Sequence, residues 1–231
     1  MSELRNNVNR MSDEEAANIL TAILSEVAPS TANMRLPDPD LRDFYVDETR
    51  RIIRIESSVE SNTIDVVKKI QEYNRQDYEK DVAVEDRQPI WIYLDTPGGS
   101  VPVMWSIVQA IKMSKTPVYT VNLCSAMSAG AHILAAGHKR FGFPGSTVLV
   151  HNGSVSFSGT VEATESAKDY YDSISKKADD LLLTDTKLDE KTLKSKKKKY
   201  LDWYLDTEEA LKYGFIDEIL TDFDQLYKTN K

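Results

Sequence analysis

The stretch NLCSAMSAGAHILAAG at 122–137 brings two serines, the single cysteine and a histidine into an almost uncharged run. A serine hydroxyl is a weak nucleophile at its own pKa and attacks a carbonyl only when a base lies within hydrogen-bond reach. Ser128 stands where the apolar run SAGAHILAA begins, at the expected start of a helix. The ordinary role of a serine there is to cap a free N–H of the first turn. A serine on a sharp strand-to-helix turn, among residues as small as Ala129, Gly130 and Ala131, has a second use. Its hydroxyl projects into space that a substrate backbone can approach. Ser125 is the rival nucleophile, farther from the helix start.

Only three histidines are available as the base. His138 falls in the polar turn GHKRF and is expected at the surface. His132 follows Ser128 by four residues and shares its helical face, but side chains there tilt back over the preceding turn and compete with the packed AHILAA run. His151 ends the strand TVLVH just before Asn152 and Gly153, at a strand end where functional groups of α/β folds often sit. The segment YLDTPGGSV at 93–101 adds Gly98 and Gly99 between a strand and a helix. Backbone N–H groups at such a turn can bind an anion or a developing oxyanion, and the alternative is a plain connection after Pro97. Neither a G-x-G-x-x-G nor a P-loop pattern is present, which argues against nucleotide chemistry on this chain.

The elements that would hold these groups follow from period and punctuation. Strands and helices alternate: RIIRIES, NTIDVVKKIQEYN, PIWIYLD, VPVMWSIVQAIKMS, then PVYTVNL with CSAM as a turn. That rhythm predicts an α/β protein with βαβ crossovers. A helix over 128–136 stopped by Gly137, strands near 139–143 and 146–151, a helix over 161–183 and helices on either side of DWYLDTEEALKYGFID complete the body. In the long helix Ala163, Ala167, Tyr170, Tyr171, Ile174, Ala178, Leu181 and Leu182 recur at three- and four-residue steps, which predicts one buried face, against the body or against another subunit. Ahead of the body, Ser12 and Glu15 form a capping-box pattern before an amphipathic stripe through Val27. The proline-containing APSTANMRLPDPD then marks a linker to about residue 45.

At 231 residues and 41% hydrophobic content the chain can bury one substantial core. A formal charge of −8 excludes nucleic acid as the expected partner, since phosphate binding needs a basic surface. The basic block KTLKSKKKKY at 191–200 reads as a solvated helix face. One cysteine excludes an intrachain disulfide, and the start MSELRNNVNR lacks the apolar core of a secretory signal, so the cytoplasm is expected. The run 117–137 approaches membrane-span length, but Thr120, Asn122, Ser125, Ser128 and His132 would be costly in lipid, so no membrane is expected.

YLDTPGGSV, SAMSAGAHILAAG, KRFGFPGSTVLVHNG and DWYLDTEEALKYGFIDEIL resemble, in the same order and at fitting intervals, motifs of the proteolytic subunit of the Clp protease. The resemblance runs from about RRIIRIESSV to IDEIL. It implies a crotonase-type α/β fold of repeated ββα units with a protruding strand-helix handle, the handle matching residues 153–174. It divides the chain into an N-terminal extension 1–45, a peptidase domain 46–222 and a tail 223–231. It implies a serine endopeptidase that cuts unfolded chains inside a barrel of heptameric rings, stacked as a tetradecamer or mixed with a paralogue. No cofactor is implied, ATP being used by a partner AAA+ unfoldase that docks near Trp91 and Tyr93. Ser128 matches the family's nucleophile, His151 its base, and Gly99 and Ala129 its oxyanion-hole N–H donors.

The orienting acid departs from that pattern, because the family's catalytic aspartate aligns with Lys198. Several outcomes stay open. Asp202, four residues on, would approach His151 if the helix continued by a turn. A carbonyl, water or another acid such as Asp217 would leave a slower dyad. A subunit without activity would contribute only architecture to a ring, and a Ser-Lys pair would need a desolvated lysine, which a lysine run does not suggest. An acyl-CoA enzyme of the crotonase type would share the glycine-rich oxyanion hole, but that chemistry does not generally require the Ser128 and His151 pair.

Overall fold

A computed structural model describes residues 39–153 and 156–228. The predicted helix at 12–27 and most of the linker lie outside them. In chain order the elements are α1 (Pro39–Arg50), β1 (Ile52–Ile55), α2 (Asp65–Glu79), β2 (Ile90–Thr96), α3 (Val101–Met113), β3 (Val118–Met127), α4 (Ala129–Ala136), β4 (Lys139–Gly142), β5 (Thr147–His151), α5 (Val161–Asp185), α6 (Glu190–Lys199), β6 (Asp202–Leu205), α7 (Thr207–Tyr213), β7 (Glu218–Ile219) and α8 (Asp224–Lys228). The last residues of the expected linker are therefore helical, with Pro39 at the start of α1, where its fixed φ fits and its missing N–H costs nothing. The chain divides into compact units after Tyr45.

One seven-stranded sheet organises the unit from Val46 onward, in the order β1-β2-β3-β4-β7, with β5 pairing both β3 and β6. All pairings are parallel except β5 with β6. The fold is the α/β class expected from the alternation of strands and helices. β2 is apolar over most of its length and β3 is largely buried over its first half, as parallel strands covered on both faces are. Ile70, Ile107, Ile111 and Ile133 from α2, α3 and α4 pack against Ile90, Ile92 and Leu94 in the main core. A second cluster on the other face joins Trp91, Val121, Phe141, Leu220 and Leu226. Leu226 of α8 is buried there, so the segment read as a tail is packed on the body at that point.

β3 departs from expectation in a way that matters. The residues CSAM form no turn; the strand continues through them to Met127. While β2 advances from Leu94 to Thr96, β3 advances from Asn122 to Ala126, so β3 carries extra residues and bends. Its first half then pairs with β4 and its second half, Ser125–Met127, with β5. The run that approached membrane length is thus a core strand followed by a core helix, and no helix among the described residues is long and apolar enough to cross a membrane.

α5 also differs from its periodic reading. Only Leu182 is fully buried, while Ala167, Tyr171, Ile174 and Ala178 are half-buried and Ala163 and Tyr170 are exposed. In this single chain, only the C-terminal end of α5 packs into the core. The strand half of the expected handle is absent from residues 156–160, and residues 154 and 155 are outside the described set.

Candidate active site

Ser128 follows β3 directly and precedes α4, with φ 53° and ψ −116°. A non-glycine residue at positive φ costs about 1–3 kcal/mol and persists only where its surroundings impose it. Here the surroundings are the β3–β5 ladder, in which Met127 pairs with Leu149, and the Ser128 N–H, which donates to the Leu149 carbonyl at 2.9 Å. The side chain makes no capping bond to α4. Its Oγ lies instead 2.8 Å from His151 Nε2. The ladder that anchors Ser128 to Leu149 therefore also sets its distance to His151, two residues further along β5.

The other ring nitrogen of His151, Nδ1, lies 3.0 Å from Asp202 Oδ1. A carboxylate on Nδ1 fixes the tautomer that carries its proton there and leaves Nε2 as an acceptor for the Ser128 hydroxyl. Asp202 reaches this place through β6, which is antiparallel to β5 with His151 directly opposite Asp202. Directly paired residues share a sheet face with Cβ atoms about 4.5–5.5 Å apart. The expected route, a helix continuing one turn past Lys198, is incorrect: α6 ends at Lys199, and a strand carries the acid. DWYL was missed as a strand between the helices, although Trp203 and Leu205 point inward and Asp202 and Tyr204 outward at period two.

The remaining candidates separate cleanly. Ser125 donates to Asp95 Oδ1 at 2.6 Å. His138 accepts from the Val118 N–H through Nδ1 at 2.9 Å. Asp217 is held in a two-pronged pair with Arg140, at 3.0 Å to Nε and 2.6 Å to Nη2. Lys198 is exposed. His132 is buried, and its Nδ1 lies 2.9 Å from the Ser128 carbonyl, which can only accept. Nδ1 must be the N–H donor, and burial holds the pKa of His132 below its usual value.

The Pro97-Gly98-Gly99 turn closes over the same place. A Cβ on Gly98, at φ 94°, would come within 2.5 Å of the Met127 carbonyl and 2.8 Å of Ser128 Cβ. Gly99, at φ 149°, is clamped to Val59, whose carbonyl a Cβ would meet at 2.4 Å. Among the described residues, neither the Gly99 nor the Ala129 N–H donates to a backbone carbonyl in the surrounding turns. A cleft of about 270 Å³ is lined by Gly99, Ser128, Ala129, His132 and His151, with one wall formed by Tyr171, Ile174, Ser175, Ala178 and Asp179 of α5. Those α5 positions recur at one and two helical turns. No group of three or more histidines, cysteines or acids able to hold a metal exists among the described residues. A hydroxyl, an imidazole and a carboxylate in hydrogen-bonded sequence beside free backbone donors can perform acyl transfer.

Comparison with known proteins bears on the family of the chain. The family model described as Clp protease matches residues 46–223. The chain is 34% identical over 134 residues to ATP-dependent Clp protease proteolytic subunit 2 of Treponema denticola, covering 57% of this chain and 66% of that one. It is 34% identical over 146 residues to the proteolytic subunit of Deinococcus radiodurans, covering 58% and 65%. It is 31% identical over 137 residues to proteolytic subunit 2 of Treponema pallidum, covering 58% and 67%. The alignments span about two thirds of the length of these relatives. With most of its length matched by one family model, and with a parallel α/β sheet of the expected kind, this chain belongs to the Clp protease family.

Proposed function

We propose that this chain is a serine endopeptidase in which Ser128 attacks, His151 acts as the base, Asp202 orients His151, and the Gly99 and Ala129 N–H groups bind the oxyanion. The observation that carries the reading is the unbroken hydrogen-bonded line from Asp202 through His151 to Ser128 at the rim of the cleft. As Ser128 Oγ bonds to the scissile carbonyl carbon, its proton passes to His151 Nε2. The resulting imidazolium is stabilised by Asp202 and then protonates the leaving amine. Negative charge developing on the carbonyl oxygen meets preorganised donors in a partly enclosed site. Water enters by the same base to release the acid and restore Ser128.

The case for an inactive ring subunit rested on Lys198 in the aligned place of the acid. A carboxylate supplied from β6 weighs against that case and supports the peptidase reading. Reaction of the purified chain with a fluorophosphonate decides between them. Labelling of the wild type, lost in Ser128→Ala, is expected; an unlabelled wild type of intact fold would reject the peptidase reading.

The assembly belongs to the same proposal: heptameric rings, stacked or mixed with a paralogue, in the cytoplasm, receiving unfolded chains from an ATP-driven unfoldase. The relatives' names describe proteolytic subunits of an ATP-dependent protease, which supports that setting here. The unfoldase would dock at a groove of about 190 Å³ lined by Ile52, Arg54, Tyr93, Phe143 and Phe223. Trp91, at 3% exposure, forms its floor more than its contact surface. The division into an extension 1–45, a peptidase domain 46–222 and a tail 223–231 is proposed with it, supported by a family match over 46–223.

A further inference from the structure

The cleft beside Ser128 carries charge that the acyl-transfer chemistry does not use. Asp179 of α5 and Lys197 of α6 line it and form an ion pair, Nζ to Oδ1, at 2.5 Å. The Lys197 side chain is 11% exposed and that of Asp179 34%, so the carboxylate is the more accessible partner. Among the described residues Asp179 Oδ2 has no hydrogen bond, and Lys197 Nζ, with three N–H groups, bonds only to Asp179. His132 lines the cleft as well, and since its Nδ1 proton goes to the Ser128 carbonyl, its Nε2 is an acceptor. These three side chains therefore offer the pocket two acceptors and one donor centre with no net charge, beside the apolar Val101, Met104 and Ile174.

Resting on the peptidase reading, we propose that Asp179, Lys197 and His132 form a specificity pocket for a neutral amide side chain, glutamine above all, on the residue that supplies the scissile carbonyl. An amide has two N–H donors and a carbonyl acceptor. It can donate to Asp179 Oδ2 and His132 Nε2 and accept from Lys197. An aliphatic guest would strip water from all three groups and return nothing, and buried polar atoms left without partners are costly. A lysine or glutamate guest would add a third charge to a balanced pair, opposed by Lys197 or by Asp179. Sites built to hydrogen-bond a substrate group discriminate strongly against analogues that lack it.

The test uses the full chain and fluorogenic peptides identical except for glutamine, leucine, lysine or glutamate at the residue before the cleaved bond. Fluorophosphonate labelling of Ser128 is measured in parallel. The expected result is a kcat/KM for glutamine at least about tenfold above leucine, with lysine and glutamate also weaker. The paired variant Asp179→Leu with Lys197→Met should reverse the order of glutamine and leucine, and Asp179→Asn should narrow it. A labelled wild type that prefers leucine overturns the pocket alone. So does an unchanged glutamine-to-leucine ratio in the paired variant, or in Asp179→Asn should the paired variant fail to fold. A wild type that neither labels nor cleaves any peptide overturns the peptidase reading and the pocket with it.

Discussion

Asp202 stands opposite His151 on paired strands, and its side chain is 40% exposed where the triad template has a buried acid. Water can replace part of what the carboxylate does, so Asp202→Asn is expected to lower kcat by between about 10² and 10⁴. Lys198→Ala, at the exposed position where the sequence resemblance led the acid to be expected, should leave kcat/KM within about twofold. Equal effects of the two substitutions would undo the assignment. His132 gives a second expectation at this scale. Burial lowers its pKa from the usual 6.5, so the unfolded chain takes up a proton at a pH where the folded chain does not. Its contribution to stability is complete above about pH 6.5 and is lost as pH falls from there toward the folded pKa. His132→Phe should therefore lose less melting temperature than wild type between about pH 7.5 and pH 5.5; parallel curves would mean that His132 is not held neutral. Ser128 and His151 were legible from sequence as candidates, and the structure brings them together, because a small-residue helix start and a strand end are local signals. Asp202 was legible only as one candidate among several, since what brings it to His151 is the strand that lies beside β5.

At the scale of elements, the small residues around Ser128 have a purpose beyond leaving room for a peptide. All eight residues of α4 are buried, and a Cβ on Gly130 would meet Thr96 Cγ2 at 2.5 Å. Close approach of α4 to β2 thus requires glycine at that position. Gly130→Ala is expected to cost about 1–3 kcal/mol in denaturant unfolding. Thr96→Ser removes the opposing methyl while keeping the hydroxyl that donates to Ser57 O at 2.6 Å and accepts from the Gly98 N–H at 3.1 Å. The double variant should recover most of the loss, and strict additivity would show that the clash lies elsewhere. The lysine run teaches the limits of composition in the same way. It reads as a solvated face, yet Lys197 is paired inside the cleft and Lys196 lies 4.9 Å from the Trp203 ring. Which lysine turns inward depends on the packing of α6 against α5 and β6, and no periodic pattern in KSKKKK reveals it. β6, only four residues long, was hidden for a related reason: short strands owe their existence to a partner, and here the partner is β5.

For the molecule as a whole, α5 is the element that one chain leaves unfinished. The sequence periodicity identified a helix over nearly its full observed length, but could not say what its apolar stripe would meet. Part of that stripe lines the cleft, so Ile174 is a poor probe of assembly: a charge there would disturb substrate and subunit contacts together. Val161 and Tyr170, 67% and 66% exposed near the start of the helix, are free of that confusion, and Phe157 just before it is 38% exposed. Single exposed apolar residues are unremarkable, but three of them on one segment make it the segment to test as a contact surface. If rings stack through this helix, Val161→Glu with Tyr170→Glu puts two unpaired carboxylates into an interface that would otherwise desolvate them. The variant should sediment as smaller assemblies than wild type at equal concentration while its circular dichroism and thermal midpoint as a dissociated subunit stay unchanged. Assemblies of undiminished mass would remove α5 from the interface, and a lowered midpoint of the dissociated subunit would assign these two side chains to the stability of a single chain.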